Sequence, residues 1–319
     1  LLEATSSLYL ELITKVDSAI PQKSYIKHCE SFAFRLGPIW IADTLAMFHK
    51  DPDHDVAIRC VFQTLVRGVG DELSLALGPQ DLSTVRARLG DLRLYLPSDV
   101  VSPRMPVPNA TKNFILNVLT VREWRLVNQR YKPPTPVRNA VSSLFSLKAS
   151  VESDAVVVSI YVYGTLNITR DTEPLAPMSV VGVALADALW QYVFDTRTTW
   201  NRKIREALRE LHRCGSSSEL DEGSHRLQFA PLSLKVCVRA SRGDQWHSLF
   251  YGWGGMWRLS RSQIFYMMTV FHFFCHPKSE APEDRVREMR SLISGASEDF
   301  GTAFGCPSDP RNNGSACSL

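Results

Sequence analysis

Residues 180–195 read VVGVALADALWQYVFD. Between residues 180 and 194 apolar side chains recur with helical period, so this stretch reads as a helix. A second helix follows at 199–214, charged on one side, and then a solvated loop over 215–224. On the N-terminal side, residues 155–163 (AVVVSIYVY) are β-branched and aromatic and read as a buried strand. Further on, residues 227–240 read as strand-like or irregular, 263–275 as an apolar helix, and the tail after Cys306 is rich in Asn, Gly, Ser and Pro.

The first hundred residues read as helices. Tyr9, Ile13, Val16 and Ile20 fall at helical spacing, and a second helix is expected over 30–50, kinked near Gly37 and Pro38. A third follows the start signal Asp51-Pro52-Asp53, carries Ile58, Val61, Phe62, Leu65 and Val69 on one face, and is expected to end at Gly78-Pro79. A short helix after Asp81 leads to the alternation Leu92-Arg93-Leu94-Tyr95-Leu96. Pro97, Pro103, Pro106 and Pro108 mark a connector. A helix over 112–131 then places Phe114, Val118, Val121 and Trp124 on one face before Pro133, Pro134 and Pro136 break it. The pattern is mixed α+β and helix-dominated, and no internal repeat is evident.

The chain has 319 residues, enough for about two domains or one large one. At 45% hydrophobic and 22% charged it has globular composition, which excludes wholesale disorder, collagen and coiled coil. The net charge of +3 and the lack of a dense Lys/Arg run give no reason to expect a nucleic-acid partner. No stretch reaches the roughly 18 apolar residues of a membrane span.

No H-E-x-x-H, C-x-x-C, G-x-S-x-G, phosphate-binding or dinucleotide-binding signature occurs. His272, Cys275 and His276 have zinc-compatible chemistry at helical spacing, but Phe273 stands where a general-base Glu is needed, and a structural thiol with a capping His explains them better. His49 and His54 flank a Lys-Asp-Pro-Asp run that reads as a helix end and the next helix start. Three N-x-[ST] sequons, at Asn109, Asn167 and Asn313, accompany seven cysteines, a combination that leans toward an exported protein. The odd cysteine count leaves at least one thiol without an internal partner.

Ser297-Glu298-Asp299-Phe300-Gly301-Thr302-Ala303-Phe304-Gly305-Cys306, followed by a Pro/Asn-rich loop to Cys317, resembles the end of the neprilysin and endothelin-converting-enzyme family of zinc metallopeptidases, which closes with E-F-x-x-A-F-x-C and a last Cys. Gln263-Ile264-Phe265-Tyr266 resembles that family's Q-L-F-F helix. Residues 181–195 resemble its G-V-V-I-x-H-E-x-x-H-x-F-D helix, residues 89–97 its L-x-x-[LM]-R-x-x-I-G-Y-P segment, and Cys29 its R-C helical segment. The landmarks keep the family's order along nearly the whole chain.

The resemblance implies a thermolysin-like (zincin-type) domain over 98–319, preceded by the end of a helical domain over 1–97. It implies one zinc ion in active relatives, but the ligands depart. Aligned on Phe194-Asp195, the H-E-x-x-H positions hold Ala188, Leu189 and Tyr192; aligned on Gly182, they hold Asp187, Ala188 and Gln191. The family's E-N-I-A-D segment falls on 227–235, with Pro231 at the Glu position and Lys235 at the Asp position, where a Lys repels a metal. The N-A-[YF]-Y substrate motif is absent around 142–151, and the late oxyanion-stabilising His gives way near Glu280. Arg285 or Arg287 is the residual substrate contact the family suggests. Catalytic zinc needs three ligands and a proton acceptor, so no cofactor and no catalytic residue are expected.

The resemblance further implies a Cys214–Cys317 disulfide. Closing about 100 residues, it contributes roughly 4–5 kcal/mol by chain entropy. Cys29, Cys275 and Cys306 would pair with an N-terminal half outside this chain, which begins Leu-Leu. Cys60 and Cys237 either pair together or stay as buried thiols. The functional expectation is an extracellular or membrane-anchored, catalytically inactive homologue that holds peptides or proteins. The alternatives are an active zinc endopeptidase with a displaced or misaligned site, and a fragment without independent function.

Overall fold

The structure, a computed structural model, describes residues 52–100, 111, 113–130, 144, 148–152, 154–169, 177–195, 200–215, 227–241, 260–274 and 297–304. The helices expected over 9–20 and 30–50 lie outside these residues, as do His49, Cys29, Cys275, His276, Cys306, Cys317, Asn109, Asn313, Arg285 and Arg287. The described residues between 51 and 96 form one compact unit with those from 146 onward, and those between 97 and 145 belong to a second.

Helix α1 spans Pro52–Leu73, with Asp53 and Asp55 in its first turn, where the helix dipole favours acids. Its buried stripe is the expected one, Ile58, Val61, Phe62, Leu65 and Val69, extended by Glu72 and Leu73. The helix stops short of Gly78: tight turns close with Ala76 and Leu77 N–H groups donating to Leu73 O. Gly78 is extended (φ −65°, ψ 160°) and opens α2, Pro79–Asp91, with Pro79 at the start, where a missing N–H costs nothing. Gly78-Pro79 is therefore a start signal, not the end of α1.

Strand β1 (Arg93–Tyr95) pairs parallel with β3 (Ala155–Val157), and β2 (Ser150–Glu152) pairs antiparallel with β3. The sheet order is β1-β3-β2. The expected strand over 155–163 is only half right. After Val157 the chain turns into helix α5, Ile160–Thr169, because Ser159 Oγ accepts the Val162 N–H at 3.1 Å, an N-cap bond.

A π-helical turn, Pro177–Gly182, runs into α6, Val183–Phe194. Every residue from 183 to 190 is buried. A stretch buried on every side has no solvent face and lies in the interior of its unit. Helices α7 (Arg202–Gly215) and α8 (Ala230–Ser241) pack against α6, α9 (Arg261–Phe274) packs on the π-helical turn, and α10 (Ser297–Phe304) packs on α9. Helix α8 corrects the strand-like reading of 227–240; Pro231 fits its first turn, where no backbone donor is required. The core runs without a break from α1, α2 and Leu96 through Val156 and Val158 to α6 and α8. Residues 52–96 thus share one core with those from 146 onward.

In the second unit, α3 spans Pro97–Val100 and α4 spans Phe114–Arg130. Asn113 Oδ1 caps α4 by accepting the Leu116 N–H at 3.1 Å. Val121 and Trp124 are buried on the expected face. No described helix is long and apolar enough to cross a membrane.

Helices α1 and α8 approach closely at Gly68, where an added Cβ would meet Val236 Cγ1 at 2.9 Å. Valine is stiff at χ1 and cannot swing away. Gly68→Ala is expected to cost about 1–3 kcal/mol by overpacking, despite alanine's higher helix propensity. Urea unfolding measures it, and an unchanged or raised midpoint would contradict the close approach.

Candidate functional site

Helices α6 and α8 carry the residues that the family resemblance aligns with a zinc site, and the two pack against each other. Asp187 is the single carboxylate within α6 and is 1% exposed. The Phe229 N–H, at the entrance to α8, donates to its Oδ1 at 2.6 Å, and Gln191 Nε2 donates to its Oδ2 at 2.7 Å. The Gln228 N–H also bonds to this carboxyl. Asp187 therefore acts as an N-cap delivered from a neighbouring helix: it takes up orphan donors at the positive end of α8. Burial pushes its pKa above the usual carboxylate range. The bonds from Phe229, Gln191 and Gln228, with the more distant Lys148 charge, oppose that rise only in part.

One to two turns along α8, Lys235 Nζ lies 2.9 Å from Glu72 Oε2, and Arg239 Nη1 donates to Glu72 Oε1. Glu72 is 2% exposed, so two cations from α8 neutralise a carboxylate that α1 carries into the interior. Such a pair holds two helices in register, although its net contribution is limited by desolvation.

The residues at hand do not fit a catalytic zinc ion in either alignment. In the alignment on Gly182, both oxygens of Asp187 are engaged, Gln191 is a neutral amide bonded to it, and Ala188 offers no donor atom. In the alignment on Phe194-Asp195, Ala188 and Leu189 are apolar. Tyr192 packs edge-on to Trp200, its phenol held protonated above its usual range by burial and by the Asp154 carboxylate. Pro231 has no side-chain donor, and Lys235 is bound to Glu72. Among the described residues, no group of three His, Cys, Asp or Glu could hold a metal ion.

Other landmarks do meet. Gln263 Nε2, on α9, donates to Ala303 O on α10 at 2.8 Å, and Tyr266 packs against Phe300 and Phe304 with ring centroids 5.2 and 6.4 Å apart. Thr269 Oγ1 donates to Ser179 O at 2.8 Å and so ties α9 to the π-helical turn. Asn201 caps α7, and Trp200 Nε1 donates to Val193 O at the end of α6. Asn167 lies within α5, Cys214 within α7 and His272 within α9. Cys60 and Cys237 are both unpaired; Cys60 is exposed on α1 and Cys237 is buried on α8. They neither pair together nor share a buried setting, which corrects both expectations for Cys60. Desolvation pushes the Cys237 thiol far above its usual pKa.

Two features escaped the sequence reading. Glu72 continues the α1 stripe three residues past Val69, and an acid in an apolar stripe was the available signal. Asp187 was visible only as a motif position, not as a helix cap. Comparison with protein-family models and with curated proteins finds no match to the chain.

Proposed function

We propose that this chain is a non-cleaving relative of the neprilysin and endothelin-converting-enzyme peptidases, an extracellular or membrane-anchored protein that holds peptides or proteins on a thermolysin-like frame. The observation that carries this reading is the commitment of the aligned metal positions to other work. Asp187 caps α8, Gln191 binds Asp187, and Lys235 neutralises Glu72. A catalytic zinc site needs free donors converging on one point and a proton acceptor beside them, and these positions offer neither. Support for the frame comes from the parallel β1–β3 pairing, the packing of α6 on α8, and the junction of the Gln263 helix with the Phe300–Phe304 helix.

Zinc titration by calorimetry, run beside a cleavage assay on a mixed peptide pool, tests the reading. The expected outcome is no stoichiometric zinc uptake and no chelator-sensitive cleavage. Stoichiometric zinc together with chelator-sensitive hydrolysis overturns it in favour of an active endopeptidase.

A further inference from the structure

A groove of about 560 Å³ opens between α1, the end of α2 and β1, within the roughly 300–1,000 Å³ of ordinary ligand sites. Arg59, Gln63 and Arg67 line it from α1 at i, i+4 and i+8, which puts them in one row about 6 Å apart. Phe62 and Val66 form an apolar row beside them, and Leu89, Leu92 and Leu94 stand on the α2 and β1 side. One wall is therefore cationic and amide-bearing, and the rest is apolar.

Strand β1 is an edge of the sheet. The Arg93 N–H donates to Asp154 O at 3.1 Å, and Tyr95 O accepts the Val158 N–H at 2.9 Å. Both residues thus turn their backbone groups toward β3, so the intervening Leu94 turns its own to the groove side. Arg59 Nη1 reaches Leu94 O at 3.5 Å. Arg67 Nε donates to Gln63 O within its own helix, and among the described residues no carboxylate pairs with Arg67.

We propose that this groove binds an extended, acidic amphipathic peptide segment of another protein. Alternate residues of a strand lie about 6.6 Å apart on one side, which matches the 6 Å repeat of the Arg59–Gln63–Arg67 row. A segment of the pattern Glu-Leu-Gln-Leu-Glu sets its amide and one carboxylate against Gln63 and Arg67 and its leucines against the apolar surface. An edge strand with an adjoining pocket is a common way to capture an extended chain. The proposal rests on the groove alone and not on the family reading.

The test is fluorescence anisotropy of labelled acetyl-Glu-Leu-Gln-Leu-Glu-amide titrated with the whole chain. Saturable binding that weakens with added salt is expected. Two variants probe the groove. Arg67→Glu reverses an exposed charge and is expected to weaken binding about tenfold or more. Gly90→Trp fills the groove from α2, where an added Cβ meets nothing within 4 Å, and is expected to have a similar effect. Thermal transitions that coincide with the parent's establish that each variant is folded; if Arg67→Glu lowers its transition, Gly90→Trp carries the test. No saturation, equal affinity for the Lys-Leu-Gln-Leu-Lys peptide, or undiminished binding by the folded variants overturns the proposal. Zinc uptake and cleavage do not enter these measurements, so failure here leaves the reading of the metal positions standing, and the reverse holds.

Discussion

Asp187→Ala is expected to cost the fold about 2–4 kcal/mol, because buried donors lose their acceptor and each unsatisfied one costs about 1–3 kcal/mol. The donors are the Phe229 N–H and the Gln191 amide. The first lies at the entrance to α8, so the loss falls on the packing of α8 against α6. Asp187→Asn keeps the shape and one acceptor and is expected to cost much less. The pH dependence separates the two forms of the carboxyl. Burial raises the folded-state pKa of Asp187 above its ordinary value of 3.8, so the folded protein holds this proton more tightly than the unfolded chain does. The stability tied to that proton is fully present below pH 3.8 and is lost as pH rises through the folded-state pKa. Relative to Asp187→Asn, the parent should therefore lose stability as pH is raised from about 4 toward neutrality, and the penalty for Asp187→Ala should be greatest at the acid end. Urea midpoints of the three proteins across that range decide it. Parallel profiles for parent and Asn variant would remove the buried, titrating carboxyl from the account.

The elements legible in the sequence are those with a solvent face. The stripe of α1 shows in the sequence because charged residues separate Ile58 from Val61 and Phe62, and Leu65 from Val69. The capping Asn113 and Asn201 sit one residue outside helices whose apolar faces, Val121 with Trp124 and Ile204 with Leu208, repeat at helical spacing. The segment 227–240 reads as strand-like or irregular because its polar marks are few. Leu232, Leu234, Val236, Cys237 and Val238 are buried on α8, Lys235 and Arg239 alone set charges four residues apart, and β-branched composition favours a strand. At 155–163 composition was right for three residues, and then one hydroxyl, Ser159, outweighed the β-propensity of the rest. The polar ties were illegible because their partners are distant in sequence: Arg239 and Glu72 are 167 residues apart. The row Arg59, Gln63, Arg67 can be read from spacing, but the β1 wall facing it cannot.

Removing both cations from the α1–α8 tie should be the most damaging change among the charged groups. With Lys235→Met and Arg239→Met together, Glu72 remains in the interior with neither α8 cation to balance it, and stranding a buried charge costs about 3–5 kcal/mol. Each single replacement leaves the other cation in place and is expected to cost much less. Glu72→Met is also expected to cost less than the double change, because the Lys235 and Arg239 side chains retain 28% and 52% of their exposure and can turn their charges to water. Adding Glu72→Met to the double variant should recover most of the loss, since an apolar set of similar volume carries no desolvation penalty. Chemical denaturation of the parent and the five variants at neutral pH gives this order; a double variant no weaker than the two singles would show that Glu72 is better solvated than its 2% exposure implies. The same charges bear on the metal question. Lys235 stands at the position where the resemblance places a supporting Asp. Lys235→Asp would set a second carboxylate beside buried Glu72, two like charges where the fold uses an attraction. Placing there the Asp that the resembled family carries is therefore expected to destabilise the protein rather than to bring it nearer to binding zinc. In the same way, replacing Asp187 with histidine would remove the acceptor that caps α8. Asp187 and Lys235 are held by structural duties, and building a metal site at these positions requires those duties to be met elsewhere first.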